Sequence, residues 1–107
     1  GNFRQGMLVS VPLHLDTLPH RPEAAEIEAA YRAHYSDGGQ VRVVAATGEE
    51  RLEPEALNGT DLMELRVFAR GRQALLVARL DNLGKGASGA AVQNAELMLG
   101  LPHAAAV

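Results

Sequence analysis

The sequence predicts an α+β domain, a mixed and mostly antiparallel sheet backed by helices, with the element order β-α-β-β-β-α. Three observations predict it. Apolar residues alternate with others from Met7 to Leu15, the period of a strand with one buried face. Two further apolar stretches, Asp61 to Arg70 and Gln73 to Leu80, face each other across Arg70-Gly71-Arg72, a hairpin signal. Two other segments, Pro22 to Ser36 and Ala87 to Leu99, carry helical patterns and helix stop signals.

Each element has its own justification. In the first strand, Met7, Val9, Val11, Leu13 and Leu15 form the apolar face, and Pro12, which cannot donate to a ladder, places the strand at an edge or beside a bulge. Pro19 and Pro22 then punctuate a loop. In the first helix Ile27, Ala30, Tyr31, His34 and Tyr35 share a face, Glu23, Glu26 and Glu28 complement the positive end of the dipole, and Asp37-Gly38-Gly39 stops it. Val41 to Ala45 is a short β-branched strand, and Thr47 to Asn58, charged and containing Pro54, reads as a surface loop. The next strand puts Met63, Leu65, Val67 and Ala69 on one face. Gln73 to Leu80 is apolar at nearly every position, which suits a central strand covered on both faces. The last helix is apolar almost all round, ends at Gly100 and Pro102, and is expected to be buried on most sides.

Composition excludes several classes of function. The 107 residues suffice for one compact domain, and 47% hydrophobic with 21% charged residues is the balance of a folded, soluble one. A formal net charge of -3 with dispersed Lys and Arg offers no basic stripe for nucleic acid. No apolar run approaches the roughly 18 residues of a membrane span, and no secretion signal is visible. Zero cysteines rule out disulfides, thiolate metal sites and a cysteine nucleophile within the chain.

Few residues remain for chemistry. Gly84-Lys85-Gly86-Ala87-Ser88-Gly89 matches G-x-G-x-x-G between a predicted strand and helix. A dinucleotide fingerprint also needs a second parallel strand bearing an acidic residue about 20 positions on, and no such strand follows. The glycines are therefore expected to permit a tight strand-to-helix turn, an explanation that accounts for Gly86 and Gly89 but does not require Asn82 or Lys85. His14, His20, His34 and His103 are dispersed, without the spacing of a metal site, and His34 is expected in the core or at an interface. The charges at Glu49, Glu50, Arg51, Glu53 and Glu55 read as a solvated loop.

A long motif goes further. Leu80-Asp81-Asn82-Leu83-Gly84-Lys85-Gly86-Ala87-Ser88-Gly89-Ala90-Ala91-Val92-Gln93-Asn94, followed by Leu97-Met98-Leu99-Gly100, resembles the D-N-L-x-K-G-A-x-G-x-A-V-Q-N signature near the C-terminus of N-acetyl-gamma-glutamyl-phosphate reductases. Gly1-Asn2-Phe3 with Gly6-Met7-Leu8, Val41-Arg42-Val43, and Gly59-Thr60 before a strand resemble other blocks of that family, in family order along essentially the whole chain. The family's Arg-Gly before the first strand stands here as Gln5-Gly6, with Arg4 displaced by one, so no role is carried onto that arginine.

The resemblance implies a fold like the C-terminal domain of glyceraldehyde-3-phosphate dehydrogenase-like enzymes. It implies one domain fragment over residues 1–107, in which residues 1–82 form the sheet and dimerisation part and the helix over 87–100 packs on the cofactor domain of the same enzyme. Such enzymes are cytoplasmic and use NADPH to reduce N-acetyl-glutamyl 5-phosphate to the 5-semialdehyde, through a thioester on a cysteine that lies, with the family's histidine and cofactor domain, upstream of the segment matched here. The chain alone is then expected to carry no catalytic residue and no metal, to be inactive, not to bind NADP by itself, and to self-associate at least as a dimer. Asn82, Lys85, Gly86 and Ala87 are the cofactor-binding candidates, with Asn82 bonding the nicotinamide carboxamide. The rival reading is a non-catalytic α+β module that recruits a protein partner.

Overall fold

The computed structural model describes residues 2–36, 39–46 and 51–100. Its elements follow the predicted order: β1 (Met7–His14), α1 (Ala24–His34), β2 (Val41–Val43), β3 (Met63–Arg70), β4 (Gln73–Leu80) and α2 (Gly89–Leu99). A 3-10 turn over Leu15–Thr17 follows β1, and a π-helical turn over Gly84–Ser88 precedes α2. The four strands form one sheet in the order β1-β4-β3-β2.

β3 and β4 pair antiparallel from Met63↔Leu80 to Arg70↔Gln73, leaving Gly71-Arg72 as the two-residue turn. Gly71 takes a φ of 59° at the first loop position, where the turns that match strand twist favour glycine. β1 runs antiparallel along the other side of β4, with Pro12 opposite Leu75 on the open edge, as the proline required. β2 is parallel to β3, and the long connection between them supplies the crossover that parallel pairing needs. The sheet is thus mixed and mostly antiparallel.

Alternation and register put Val9, Val11, Leu13, Leu65, Val67, Ala74, Leu76 and Ala78 on one face. α1 lies on that face. Its Ile27 and Tyr31, with Ala24, Leu13, Leu18 and Leu76, pack around buried Leu15, Val67 and Ala74. The helix starts with a reciprocal cap, in which the Glu23 N–H donates to Glu26 Oε1 at 3.1 Å while the Glu23 side chain accepts from the Glu26 backbone. Arg72 clasps this corner from the hairpin tip. Its guanidinium donates to Asp16 Oδ1 and Glu23 Oε1, each at 2.9 Å, and to the Arg21 carbonyl.

Three expectations need correction. The apolar face of β1 is not continuously buried, because α1, at 11 residues, reaches only its Leu13 end and leaves Val9 and Val11 exposed, Val11 by 45%. β4 is covered on both faces only in part: on the far side Val77 is 5% exposed and Arg79 Nη1 donates to the Glu53 carbonyl at 3.3 Å, but Leu75 is 38% exposed there. His34 is not in the core of this chain, the first of the two places expected for it: it is exposed at the end of α1, its ring edge-on to Tyr35, which itself stacks on Tyr31. The Asp37-Gly38 part of the expected stop, the loop over 47–50 with Glu49 and Glu50, and Pro102 and His103 lie outside the described residues. α1 closes with the Tyr35 N–H donating to the Tyr31 carbonyl.

α2 begins at Gly89 rather than Ala87, and none of its residues is buried within this chain. It packs chiefly on the preceding turn and projects from the sheet, so that Leu97, Met98 and Leu99 are among the most exposed apolar side chains, Met98 by 87%. Gly100, with φ 69°, caps its end. No helix among the described residues is long and apolar enough to cross a membrane.

Candidate functional site

The candidate residues gather where β4 ends and the π-helical turn begins. Asp81 is the anchor, 2% exposed although charged. Its Oδ2 accepts the Gly59 N–H at 2.9 Å and Gln5 Nε2 at 3.1 Å, and its Oδ1 accepts the Leu83 N–H at 3.0 Å. Burial by itself pushes this carboxyl up, but the N–H donors of Gly59, Leu83 and Gly84, together with Gln5, outweigh it and hold the group below its ordinary range. One ionised side chain therefore joins the segment entering β1, the loop entering β3 and the turn leaving β4.

Asn82 is half-buried beside it, and its Oδ1 accepts the Gly6 N–H at 2.8 Å. Lys85 is also half-buried, with Nζ 3.4 Å from Gln93 Oε1 one turn into α2. Gly86 spends its N–H on the Asp81 carbonyl at 3.0 Å, so it offers no amide donor at the helix start. Ala87 is exposed on the same turn. Ser88 closes the turn twice, donating its N–H and its hydroxyl to the Leu83 carbonyl at 3.1 and 2.9 Å. The structure thus brings Asn82, Lys85, Gly86 and Ala87 onto one turn, with the Asn82 amide as its best-placed polar group.

The glycines divide differently from the sequence-based expectation. A Cβ on Gly84 would lie 2.8 Å from the Thr60 carbonyl oxygen, and one on Gly89 would overlap Asp61 Oδ1, whereas one on Gly86 would meet only ordinary contacts. Gly84 and Gly89 are the close-approach positions that seat the turn against the loop before β3.

Sequence reasoning missed Gln5, Gly6 and Asn58, whose Nδ2 donates to the Gln5 carbonyl at 3.1 Å. The displaced Arg-Gly block was the one available signal that this segment matters. A second polar cluster went unnoticed on the sheet face away from α1. There Glu64 accepts Arg79 Nε at 2.9 Å, Arg79 NH2, and Arg66 NH1 at 3.3 Å, and Arg66 is only 5% exposed. Burial opposes ionisation of Glu64, but its bonds and proximity to Arg79 and Arg66 lower its pKa. The same face holds a hollow of about 240 Å³ lined by Pro12, Phe68 and Leu75 among others. Among the described residues no three His, Asp or Glu side chains come together as a metal site would require.

Comparison with known proteins identifies this arrangement. The family model described as semialdehyde dehydrogenase, dimerisation domain, matches residues 1–82. The chain belongs to that family. As a semialdehyde dehydrogenase dimerisation domain, it has a family basis for self-association. The chain is 52% identical over 108 residues to the N-acetyl-gamma-glutamyl-phosphate reductase of Mesorhizobium japonicum, covering 94% of this chain and 35% of that protein. It is also 52% identical over 106 residues to the enzyme of that name from Chelativorans sp., covering 92% of this chain and 34% of the relative. With the Trichormus variabilis protein of the same name it shares 48% over 111 residues, or 96% and 34% of the two chains. The chain thus spans about a third of the length of the curated relatives it matches.

Proposed function

We propose that this chain is the C-terminal portion of an N-acetyl-gamma-glutamyl-phosphate reductase, the NADPH-dependent enzyme that converts N-acetyl-glutamyl 5-phosphate to N-acetyl-glutamate 5-semialdehyde in arginine biosynthesis in the cytoplasm. The observation that carries this reading is the 52% identity along 94% of the chain, which takes in the turn that bears Asn82. In this reading residues 1–82 form the dimerisation sheet, and α2 lays its apolar surface on the cofactor domain of the same enzyme. The sheet face away from α1, with Pro12, Phe68 and Leu75, is the surface offered to a second copy. The chain has no cysteine, so the thiol that attacks the acyl phosphate belongs to another part of the reductase.

The donor set of the turn fits one end of a nicotinamide. With Oδ1 committed to Gly6, the Asn82 carboxamide has its Nδ2 hydrogens to donate to the nicotinamide carboxamide oxygen. Lys85 adds a cation on the same turn, and the bare Gly86 lets a ligand approach the backbone. When bound, NADPH supplies the hydride. The contribution of this chain is to orient the ring that delivers it.

Asn82 also carries a structural bond, so Asn82→Ala both removes a ligand donor and strips Gly6 of its acceptor. Asn82→Asp is the cleaner variant, because it keeps an oxygen for Gly6 and loses the NH2 group. In the full-length reductase Asn82→Asp is expected to lower kcat/KM for NADPH by about 5- to 150-fold, the equivalent of about 1 to 3 kcal/mol for an unpaired buried polar partner. Steady-state kinetics and a melting curve on that variant test the reading. Unchanged NADPH kinetics would remove Asn82 from the cofactor site.

A further inference from the structure

Two adjacent residues at the end of β4 bond two adjacent residues at the start of β1. Gln5 Nε2 donates to Asp81 Oδ2 at 3.1 Å, and the next residue, Gly6, donates its N–H to Asn82 Oδ1 at 2.8 Å. Gly6 has little freedom to move. Its φ of 109° is a conformation that side-chain-bearing residues rarely adopt, and the Pro54 carbonyl occupies the space that a Cβ would fill. The preceding Gln5 is held from both ends, by Asp81 on its side chain and by Asn58 on its carbonyl.

This geometry has a chemical consequence for Asn82. A carboxamide is nearly symmetric in shape, and a half-turn of its end exchanges a double acceptor for a double donor. A ligand contact built on such a group is ambiguous unless something selects one orientation. The Gly6 N–H selects it, because a flipped Asn82 would set donor against donor. We propose that Asp81 is a positioning residue for the cofactor contact: through Gln5 it fixes the Gly6 N–H, and through Gly6 it holds Asn82 in the orientation that presents only hydrogen donors to the nicotinamide carboxamide. The proposal rests on the reading of Asn82 given above. Asp81 is suited to this work because it is buried, is held ionised by its backbone donors, and shares the strand end with the residue it positions.

The test is a mutant cycle in the full-length reductase. Asp81→Asn keeps the size of the side chain and weakens its hold on Gln5. It is expected to raise KM for NADPH about tenfold with kcat little changed, and to have no further effect on KM in an Asn82→Asp background, where both side-chain ends are oxygens and no orientation is left to select, the coupling expected of residues that act in series. Gln5→Ala, which removes a half-buried donor and leaves the Gly59 and Leu83 bonds in place, tests the same path if Asp81→Asn does not fold, with the same dependence on Asn82 expected. A rise in KM of equal size in both backgrounds, or a fall in kcat that tracks lost thermal stability, would show Asp81 and Gln5 to be structural only and overturn the proposal, while an effect of Asn82→Asp alone would keep the cofactor reading. If Asn82→Asp leaves NADPH kinetics unchanged, the cofactor reading falls and the positioning role falls with it.

Discussion

The Gly59 N–H and the Asp81 carboxylate meet at 2.9 Å, binding the loop that enters β3 to the end of β4. Because the folded state holds Asp81 below its ordinary pKa, its contribution to stability is complete above the unfolded carboxyl value of about 4 and is lost as pH falls below it. Melting temperatures from pH 6 down to pH 2.5 are therefore expected to drop more steeply for the native chain than for Asp81→Asn. Parallel curves would mean that the carboxylate is not what the turn depends on.

Glu64 is the carboxylate that holds both Arg66 and Arg79 on the sheet face away from α1. Glu64→Gln removes the negative charge while the guanidinium groups stay largely buried, and is expected to destabilise the fold by about 3 kcal/mol, the scale for breaking a buried pair from one side. Glu64→Met with Arg79→Met is expected to recover part of the loss. Urea unfolding of the native chain and the two variants measures it, and a cost below about 1 kcal/mol for Glu64→Gln would place the cluster with weak surface pairs.

Gly89 sits at the first position of α2 with ordinary helical angles, so propensity alone would favour alanine by about 1 kcal/mol. The overlap with Asp61 Oδ1, together with a 2.8 Å approach to the Gly84 carbonyl oxygen, reverses the sign. Gly89→Ala is expected to be destabilising, and Asp61→Gly in the same chain to relieve only the side-chain part of the cost, the Gly84 carbonyl contact remaining. Thermal unfolding of the single and double variants decides, and a stabilised Gly89→Ala would show that the loop before β3 yields easily.

α2 presents Val92, Leu97, Met98 and Leu99 to solvent, and exposed apolar surface of this kind seeks cover. Light scattering of the 107-residue chain at micromolar concentration is expected to give a dimer or larger species. Replacing Val92, Leu97 and Met98 with Gln is expected to narrow the distribution to the dimer formed by the sheet. A monodisperse monomer for the unaltered chain would contradict both surfaces.

What the sequence made legible was local and periodic. Met63–Arg70 and Gln73–Leu80 carry dense strand patterns around a glycine turn, and the structure pairs them in full register. The glycine-rich motif correctly marked a strand-to-helix turn. Its π-helical form was hidden, because it depends on Ser88 and Gly89 reaching back to the carbonyls of Leu83 and Gly84. The anchor of the site was hidden for a different reason. Asp81 takes partners from Gln5 and Gly59, 76 and 22 residues away, and a polar side chain satisfied at such separations leaves no periodic trace. Burial patterns did not give the exposure of Val9 and Val11, because alternation records which side chains need cover, and their cover is not among the described residues.

Pro12 stands in the middle of β1, on the open margin of the sheet. A further strand laid alongside would find no amide hydrogen there, and the opposite margin is the three-residue β2, too short to template a long partner. Among the described residues, growth by lateral strand addition is therefore discouraged at both borders. That restriction favours contact through broad surfaces, the kind that closes into pairs, over the edge-to-edge growth of fibres.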